Sequence, residues 1–179
     1  MRIISGKYKG KRLVAPSKLP VRPTTDFAKE ALFNILNNYY DLHEISVLDL
    51  FSGTGNISFE FASRGCTQIT AVDSHAGCIK YIEKISDELE MNIATVRSDV
   101  FKYLERTQTS KDLIFADPPY DMALEDFEKI VDLVFQNKLL NEQGTLIVEH
   151  SKHTQLDHLP YFYLQKKYGG NVFSFFELK

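Results

Sequence analysis

The run Ile45-Ser46-Val47-Leu48-Asp49-Leu50, followed by Phe51-Ser52-Gly53-Thr54-Gly55-Asn56, decides the fold. An apolar, β-branched stretch of this length reads as a buried strand. The two-glycine turn leads into Ile57 to Ser63, which reads as a helix stopped at Arg64-Gly65. Gly53 and Gly55 let the backbone turn sharply and approach a ligand closely, as a mononucleotide cradle requires. A dinucleotide fingerprint would place glycine or alanine three residues after Gly55, where this chain has Ser58. Asp73 closes the next strand-like run, Gln68 to Val72, and sets a carboxylate where a ribose diol would lie. Both details fit a nucleoside ligand without a pyrophosphate.

The same alternation continues outward. A helix with Ile79, Ile82, Ile85 and Leu89 on one face follows Asp73, then a third strand over Ile93 to Val96 ending near Ser98-Asp99. A short helix carrying Phe101 and Leu104 leads to a fourth strand, Leu113 to Ala116. Leu124 to Phe135 reads as a helix and Gly144 to Val148 as a fifth strand. Tyr161 to Tyr168 and Val172 to Leu178 form a closing hairpin around Gly169-Gly170-Asn171. Strands alternating with helices and ending in a hairpin make an α/β protein with a mostly parallel sheet and one antiparallel edge.

The fourth strand runs into Asp117-Pro118-Pro119-Tyr120, at the strand end where open α/β sheets bind ligands. Asp117 and Pro118 each precede a proline, so both are held extended. The prolines have no N–H, which leaves the Asp117 carboxylate and nearby carbonyls as acceptors facing a pocket. Tyr120 adds a flat ring. An exocyclic amino group on a nucleobase is a poor nucleophile because its lone pair is delocalised. Acceptors at Asp117 and the Pro118 carbonyl would hold both amino hydrogens and favour a tetrahedral nitrogen, while Tyr120 stacks on the base.

At 179 residues and 44% hydrophobic content the chain has the size of one ordinary domain. No apolar stretch approaches the ~20 residues of a membrane span and the N-terminus shows no secretion signal, so a cytoplasmic protein is expected. Cys66 and Cys78 lack the spacing of a zinc site and are expected as free, buried or half-buried thiols. The histidines, His43, His75, His150, His153 and His158, match no metal motif and are expected at the surface or in loops. Glu149-His150-Ser151 ends the fifth strand and is placed at the pocket rim. The net charge of −3 is unevenly spread. Residues 1 to 30 hold eight basic and two acidic side chains, a net +6, which leaves −9 for the remainder. A basic arm on an acidic body suits phosphate contact at one edge. In that arm Arg2 to Ser5 and Lys11 to Val14 read as a hairpin about Gly6 and Gly10. Pro16, Pro20 and Pro23 keep the chain extended, and Thr24 or Thr25 caps a helix with Phe27, Ala31, Leu32, Ile35 and Leu36 at helical spacing.

Together the turn and the quartet resemble the class I S-adenosylmethionine-dependent methyltransferases. That resemblance makes Asp49, Phe51, Ser52, Gly53, Thr54 and Gly55 the first cofactor motif, Asp73 with Ser74 the ribose site, and Asp99 with Val100 the neighbours of the adenine ring. Asp117, Pro118, Pro119 and Tyr120 become the catalytic group. The N-terminal Arg2-Ile3-Ile4-Ser5-Gly6-Lys7-Tyr8-Lys9-Gly10-Lys11-Arg12-Leu13 and Arg22-Pro23-Thr24-Thr25-Asp26 narrow it further. These segments, with Asp49 to Gly55, the quartet and Glu149-His150-Ser151, resemble the RsmD family, bacterial enzymes that methylate N2 of a guanine in small-subunit (16S) ribosomal RNA. The resemblance implies a Rossmann-like seven-stranded sheet with an antiparallel C-terminal hairpin. Residues 1–40 would form an RNA-binding extension of β-hairpin and helix, and 41–179 the catalytic domain. Arg2, Lys7, Lys9, Lys11, Arg12 and Arg22 would grip RNA, and Thr24 and Thr25 would lie near the methionine end of the cofactor. The expected substrate is an assembled or nearly assembled 30S subunit, met by a monomer that needs no metal. Two other readings stay open: amino-group methylation of DNA adenine or a protein glutamine, and a non-catalytic RNA-binding module.

Overall fold

The computed structural model describes residues 1–22 and 24–178; the extended reading of Pro23 lies outside them. In chain order the elements are α1 (Asp26–Leu36), β1 (Ser46–Leu50), α2 (Asn56–Ser63), β2 (Gln68–Asp73), α3 (Ala76–Glu88), β3 (Ile93–Arg97), α4 (Val100–Arg106), β4 (Lys111–Ala116), α5 (Leu124–Gln136), β5 (Leu140–Ser151), β6 (Phe162–Tyr168) and β7 (Asn171–Glu177). They form one seven-stranded sheet in the order β3-β2-β1-β4-β5-β7-β6. Strands β1 to β5 run parallel, and β7 joins β5 antiparallel with β6 outside it. The fold is therefore the mixed α/β sheet with an antiparallel C-terminal hairpin that the sequence implies.

Strand β1 is buried along its whole length, as a central parallel strand covered on both faces must be. One face packs Leu48, Leu50, Ile114, Val148 and Phe176 against α4 and α5 through Leu104, Phe127 and Val134. The other packs Val47, Phe115, Ile147 and Phe173 against α1 and α2 through Leu32, Phe33 and Phe61. The sheet order reverses between β1 and β4, and the crevice above their C-terminal ends is where such sheets hold ligands. Among the described residues, no helix is long and apolar enough to cross a membrane.

Several expectations change. The N-terminal hairpin is not a pair of strands: one antiparallel bridge, Arg2 with Arg12, remains, with Ile3 N–H donating to Lys11 O at 2.9 Å. The ladder stops because the N–H groups of Ile4 and Ser5 turn away to the Glu60 carboxylate, at 2.9 and 3.0 Å. Ile3 and Leu13 then bury against Phe59, Tyr81 and Ile82. Thr25, not Thr24, caps α1 by accepting from the Ala28 N–H at 3.2 Å. Phe27 faces outward, 66% exposed, its ring edge-on to Tyr168, while Lys29 takes an inward place on the same helix. Strand β5 starts at Leu140 because Asn141 to Gly144, polar enough to read as a turn, forms an irregularity beside β4 with Gln143 at φ 63°. His150 is fully buried, its Nε2 at 2.8 Å from Ser174 Oγ and Nδ1 at 2.9 Å from Ser151 O, so it is a core residue rather than a surface one. Both cysteines are free and buried.

Candidate active site

Strand β1 delivers Asp49 and Leu50 to the crevice, and the chain then enters a left-handed turn. Phe51 sits at φ 57°, Gly53 at 53° and Gly55 at 84°. For a bulky residue such as Phe51 this conformation costs of order 1–3 kcal/mol, so the surroundings must impose it. They do so through Ser52 N–H to Val72 O at 3.0 Å and Gly55 N–H to Ser52 O at 2.8 Å. A Cβ on Gly55 would stand 2.9 Å from both Ile82 Cγ1 and Phe59 Cε2. Asp73, at the end of β2, accepts from Gly53 N–H at 2.9 Å through one oxygen and from His75 N–H at 2.8 Å through the other. Each oxygen keeps a lone pair for a hydroxyl donor. Asp49 is 1% exposed and accepts from Ser58 Oγ at 2.6 Å and Ser58 N–H at 3.2 Å; burial pushes its carboxyl up to about 7.

Across the crevice β4 ends in Asp117, whose N–H donates to Leu50 O at 3.3 Å. Neighbouring β5 contributes Glu149. Its Oε2 accepts from Thr24 Oγ1 at 2.7 Å, while Oε1 accepts from Asn171 Nδ2 and, at 3.5 Å, from Tyr120 Oη. Asn171 Nδ2 also donates to Tyr120 Oη at 2.9 Å, so the tyrosine ring is fixed from two sides. Burial raises the Asp117 carboxyl well above its usual range, and repulsion from Glu149 and Asp49 adds to it. Burial likewise raises Glu149, opposed by its hydrogen bonds from Thr24 and Asn171. The Tyr120 phenol is pushed up to about 12, first by burial and then by the charges of Glu149 and Asp117.

These groups enclose one cavity of about 480 Å³. Of the residues singled out in the sequence, Thr24, Thr25, Asp49, Phe51, Ser52, Gly53, Thr54, Asp73, Ser74, Arg22 and Asp117 to Tyr120 line it. Gly55 shapes the turn from beneath. Asp99 and Val100 lie off the lining: Asp99 caps α4 by accepting from Lys102 N–H at 3.0 Å, and Val100 is buried in the core. Asn56, Glu149 and Asn171 add polar groups to the wall, which Pro20, Val21, Ile57, His75, Cys78 and Phe115 also line. Glu149 was legible as a rim residue, whereas Asn171 reads in sequence only as a hairpin-turn residue. Two features of the lining suit a nucleoside carrying a cation. Ser52 Oγ is buried there without a protein partner. Four acids, Asp49, Asp73, Asp117 and Glu149, face a space whose lining, among the described residues, includes a single arginine and no lysine.

The basic arm is smaller than its charge count. Lys29 is 1% exposed and spent inside: its Nζ donates to Arg2 O at 2.6 Å and Asn56 Oδ1 at 2.8 Å and stands 3.4 Å from Glu60. Arg2 pairs with Asp26 at 3.1 Å. Lys7, Lys9, Lys11 and Arg12 are exposed on the loop. That loop is seated on α2, where Gly6 lies so close that a Cβ would stand 1.9 Å from Ser63 O.

A family model described as conserved hypothetical protein 95 matches residues 1–177. Ribosomal RNA small subunit methyltransferase D of Buchnera aphidicola subsp. Baizongia pistaciae is 31% identical over 150 residues, covering 83% of this chain and 75% of that protein. The enzyme of the same name from Escherichia coli strain K12 is 29% identical over 161 residues, covering 89% and 79%. Among solved structures, Escherichia coli yhhF superposes with a TM-score of 0.85 at 27% identity, covering 98% of this chain and 96% of that one. A Thermus thermophilus 16S rRNA N2 G1207 methyltransferase, in complex with AdoMet and guanosine, shares the fold with a TM-score of 0.73 at 17% identity, covering 90% and 45%.

Proposed function

From the premise that the chain belongs to the conserved hypothetical protein 95 family, we propose that it transfers a methyl group from S-adenosylmethionine to the exocyclic N2 of a guanine in small-subunit ribosomal RNA. The observation that carries this reading is the single cavity in which the glycine turn and Asp73 face the Asp117 quartet. One wall has the form of a nucleoside cradle, and the other presents acceptors and a fixed aromatic ring to an amino group.

S-adenosylmethionine supplies a sulfonium methyl group when bound. Asp73 would accept from its ribose hydroxyls, Ser52 Oγ would gain the partner it lacks, and Asp49, Asp117 and Glu149 would favour its positive charge in their ionised forms. A guanine must leave its stack to reach the pocket. There the Asp117 carboxylate and the Pro118 carbonyl accept from the two hydrogens on N2 and hold its lone pair toward the cradle. As nitrogen gains a fourth bond it becomes cationic, and Asp117 stabilises charge that develops only then. The same carboxylate takes the proton that the nitrogen sheds. Burial and the neighbouring carboxylates raise its basicity, which favours its taking that proton. Glu149 and Asn171 position Tyr120 for stacking.

The exposed cations Lys7, Lys9, Lys11 and Arg12 would hold phosphates, with residues 1–40 acting as the RNA-gripping extension. The substrate in this reading is an assembled or nearly assembled subunit, met in the cytoplasm by a monomer without metal. Incubation of undermethylated small subunits with labelled cofactor should place label on one guanine. Asp117→Ala should keep cofactor binding and lose transfer. Absence of transfer to any RNA, or equal loss of binding and transfer in the variant, would contradict the assignment.

A further inference from the structure

Among the described residues, Arg22 is the only arginine, and there is no lysine, on the wall of a cavity that Asp49, Asp73, Asp117 and Glu149 otherwise make acidic. Electrostatics would draw it onto one of these carboxylates. It is not there: among the described residues no carboxylate oxygen lies within 4.0 Å of its guanidinium. The group instead lies over the Tyr120 ring, its Cζ 5.0 Å from the centroid. That ring is held by Asn171 and Glu149 at the place assigned to base stacking. Arg22 thus brings a guanidinium that forms no ion pair among the described residues to the spot where a purine must enter.

The residues beside that ring offer the complementary chemistry. Asp117, the Pro118 carbonyl and Glu149, on the same wall as Tyr120, are acceptors suited to the N2 hydrogens and N1–H of guanine. The remaining edge atoms of guanine, O6 and N7, are both acceptors, and an arginine fork matches them with two parallel bonds. Adenine carries an amino donor in place of O6 and would meet the fork with N–H against N–H. We infer that Arg22 reads O6 and N7 of the target and is a specificity residue that selects guanine. This inference rests on the methylation reading above. It supplies from the cavity itself a reason for guanine that the quartet alone does not contain. The guanidinium rests on the tyrosine face before the base arrives and exchanges that cation–π contact for base hydrogen bonds on entry.

The test uses small subunits reconstituted with ribosomal RNA that carries either guanine or 2,6-diaminopurine at the methylated position. The analogue keeps the 2-amino group and N7 but presents an amino donor in place of O6. Its N1 also changes, equally for every enzyme form, so comparing preferences between wild type and variants isolates Arg22. Wild type should prefer guanine in kcat/KM. Arg22→Met should shrink that preference by roughly tenfold to a hundredfold, mainly by slowing the guanine substrate, and Arg22→Lys should keep only part of it, because lysine can still donate to O6 or N7 but lacks the planar fork. A phosphate contact would behave otherwise: Arg22→Met would weaken both substrates in equal proportion and lower the salt slope by about one, and Arg22→Lys would restore both. That outcome overturns the inference. Failure of wild type to methylate the guanine subunit would overturn the methylation reading itself, a result distinct from unchanged preference in the variants.

Discussion

Asp49 offers a test of the cavity's electrostatics that needs neither cofactor nor RNA. Its carboxyl is fully enclosed, and burial lifts it from an ordinary 3.8 to about 7. Between those values the folded protein keeps a proton that the unfolded chain has already lost, so the free energy of unfolding must fall as pH rises through that window. At roughly 1.4 kcal/mol for each tenfold change, the full effect is about 4 kcal/mol. Asp49→Asn keeps the shape and can still accept from Ser58, but it cannot titrate. Urea unfolding of both proteins from pH 4 to 8 gives the comparison. The stability of wild type relative to the variant should decline by about 2 to 4 kcal/mol across the range. Asp117 and Glu149, also raised, act in the same direction; His150, lowered by burial, acts in the opposite one. All three are present in both proteins and largely cancel in the difference. A difference that stays flat within about 0.5 kcal/mol would refute the claim that Asp49 is protonated by burial. The same titration predicts tighter binding of the cationic cofactor as pH rises, because the proton must leave before the carboxylate can attract it.

Gly55→Ala forces a Cβ to 2.9 Å from Ile82 and Phe59 at a left-handed φ, and should lower stability by about 1–3 kcal/mol and weaken cofactor binding in calorimetry. Lys29→Met leaves Glu60 without its buried cation and should cost about 3–5 kcal/mol in denaturant unfolding; an effect below about 1 kcal/mol would mean that Arg64, at 2.8 Å, satisfies Glu60 alone. Joint neutralisation of Lys7, Lys9, Lys11 and Arg12 should weaken RNA binding and flatten its dependence on salt, and an unchanged slope would remove the arm as a phosphate contact.

The strand-to-turn reading at Asp49 to Gly55 and the alternation around it transfer almost unchanged to the sheet, because buried parallel strands and glycine turns leave local signals. What sequence does not display are contacts made by tertiary approach. Glu60 reads as an ordinary polar position on a helix, yet it is fully buried, captures Ile4 and Ser5 and so ends the predicted hairpin ladder. Lys29 counts as a surface charge of the arm until the fold encloses it against Asn56 and Glu60. Asn171 carries the appearance of a turn residue because Gly169-Gly170 precede it, and only the pairing of β7 beside β5 brings it to Glu149 and Tyr120. In the site, the residues legible beforehand are those on strand ends and turns, whose position follows from topology. Those missed arrive from elements distant in the chain.

The most direct measurement is the mass and position of modified nucleosides in small-subunit ribosomal RNA from cells with and without this protein. The account predicts one guanine carrying a single methyl group on N2 that disappears when the protein is removed and returns with wild type but not with Asp117→Ala. Identical modification in both cell types, or loss of a methyl group from any other base, would contradict it.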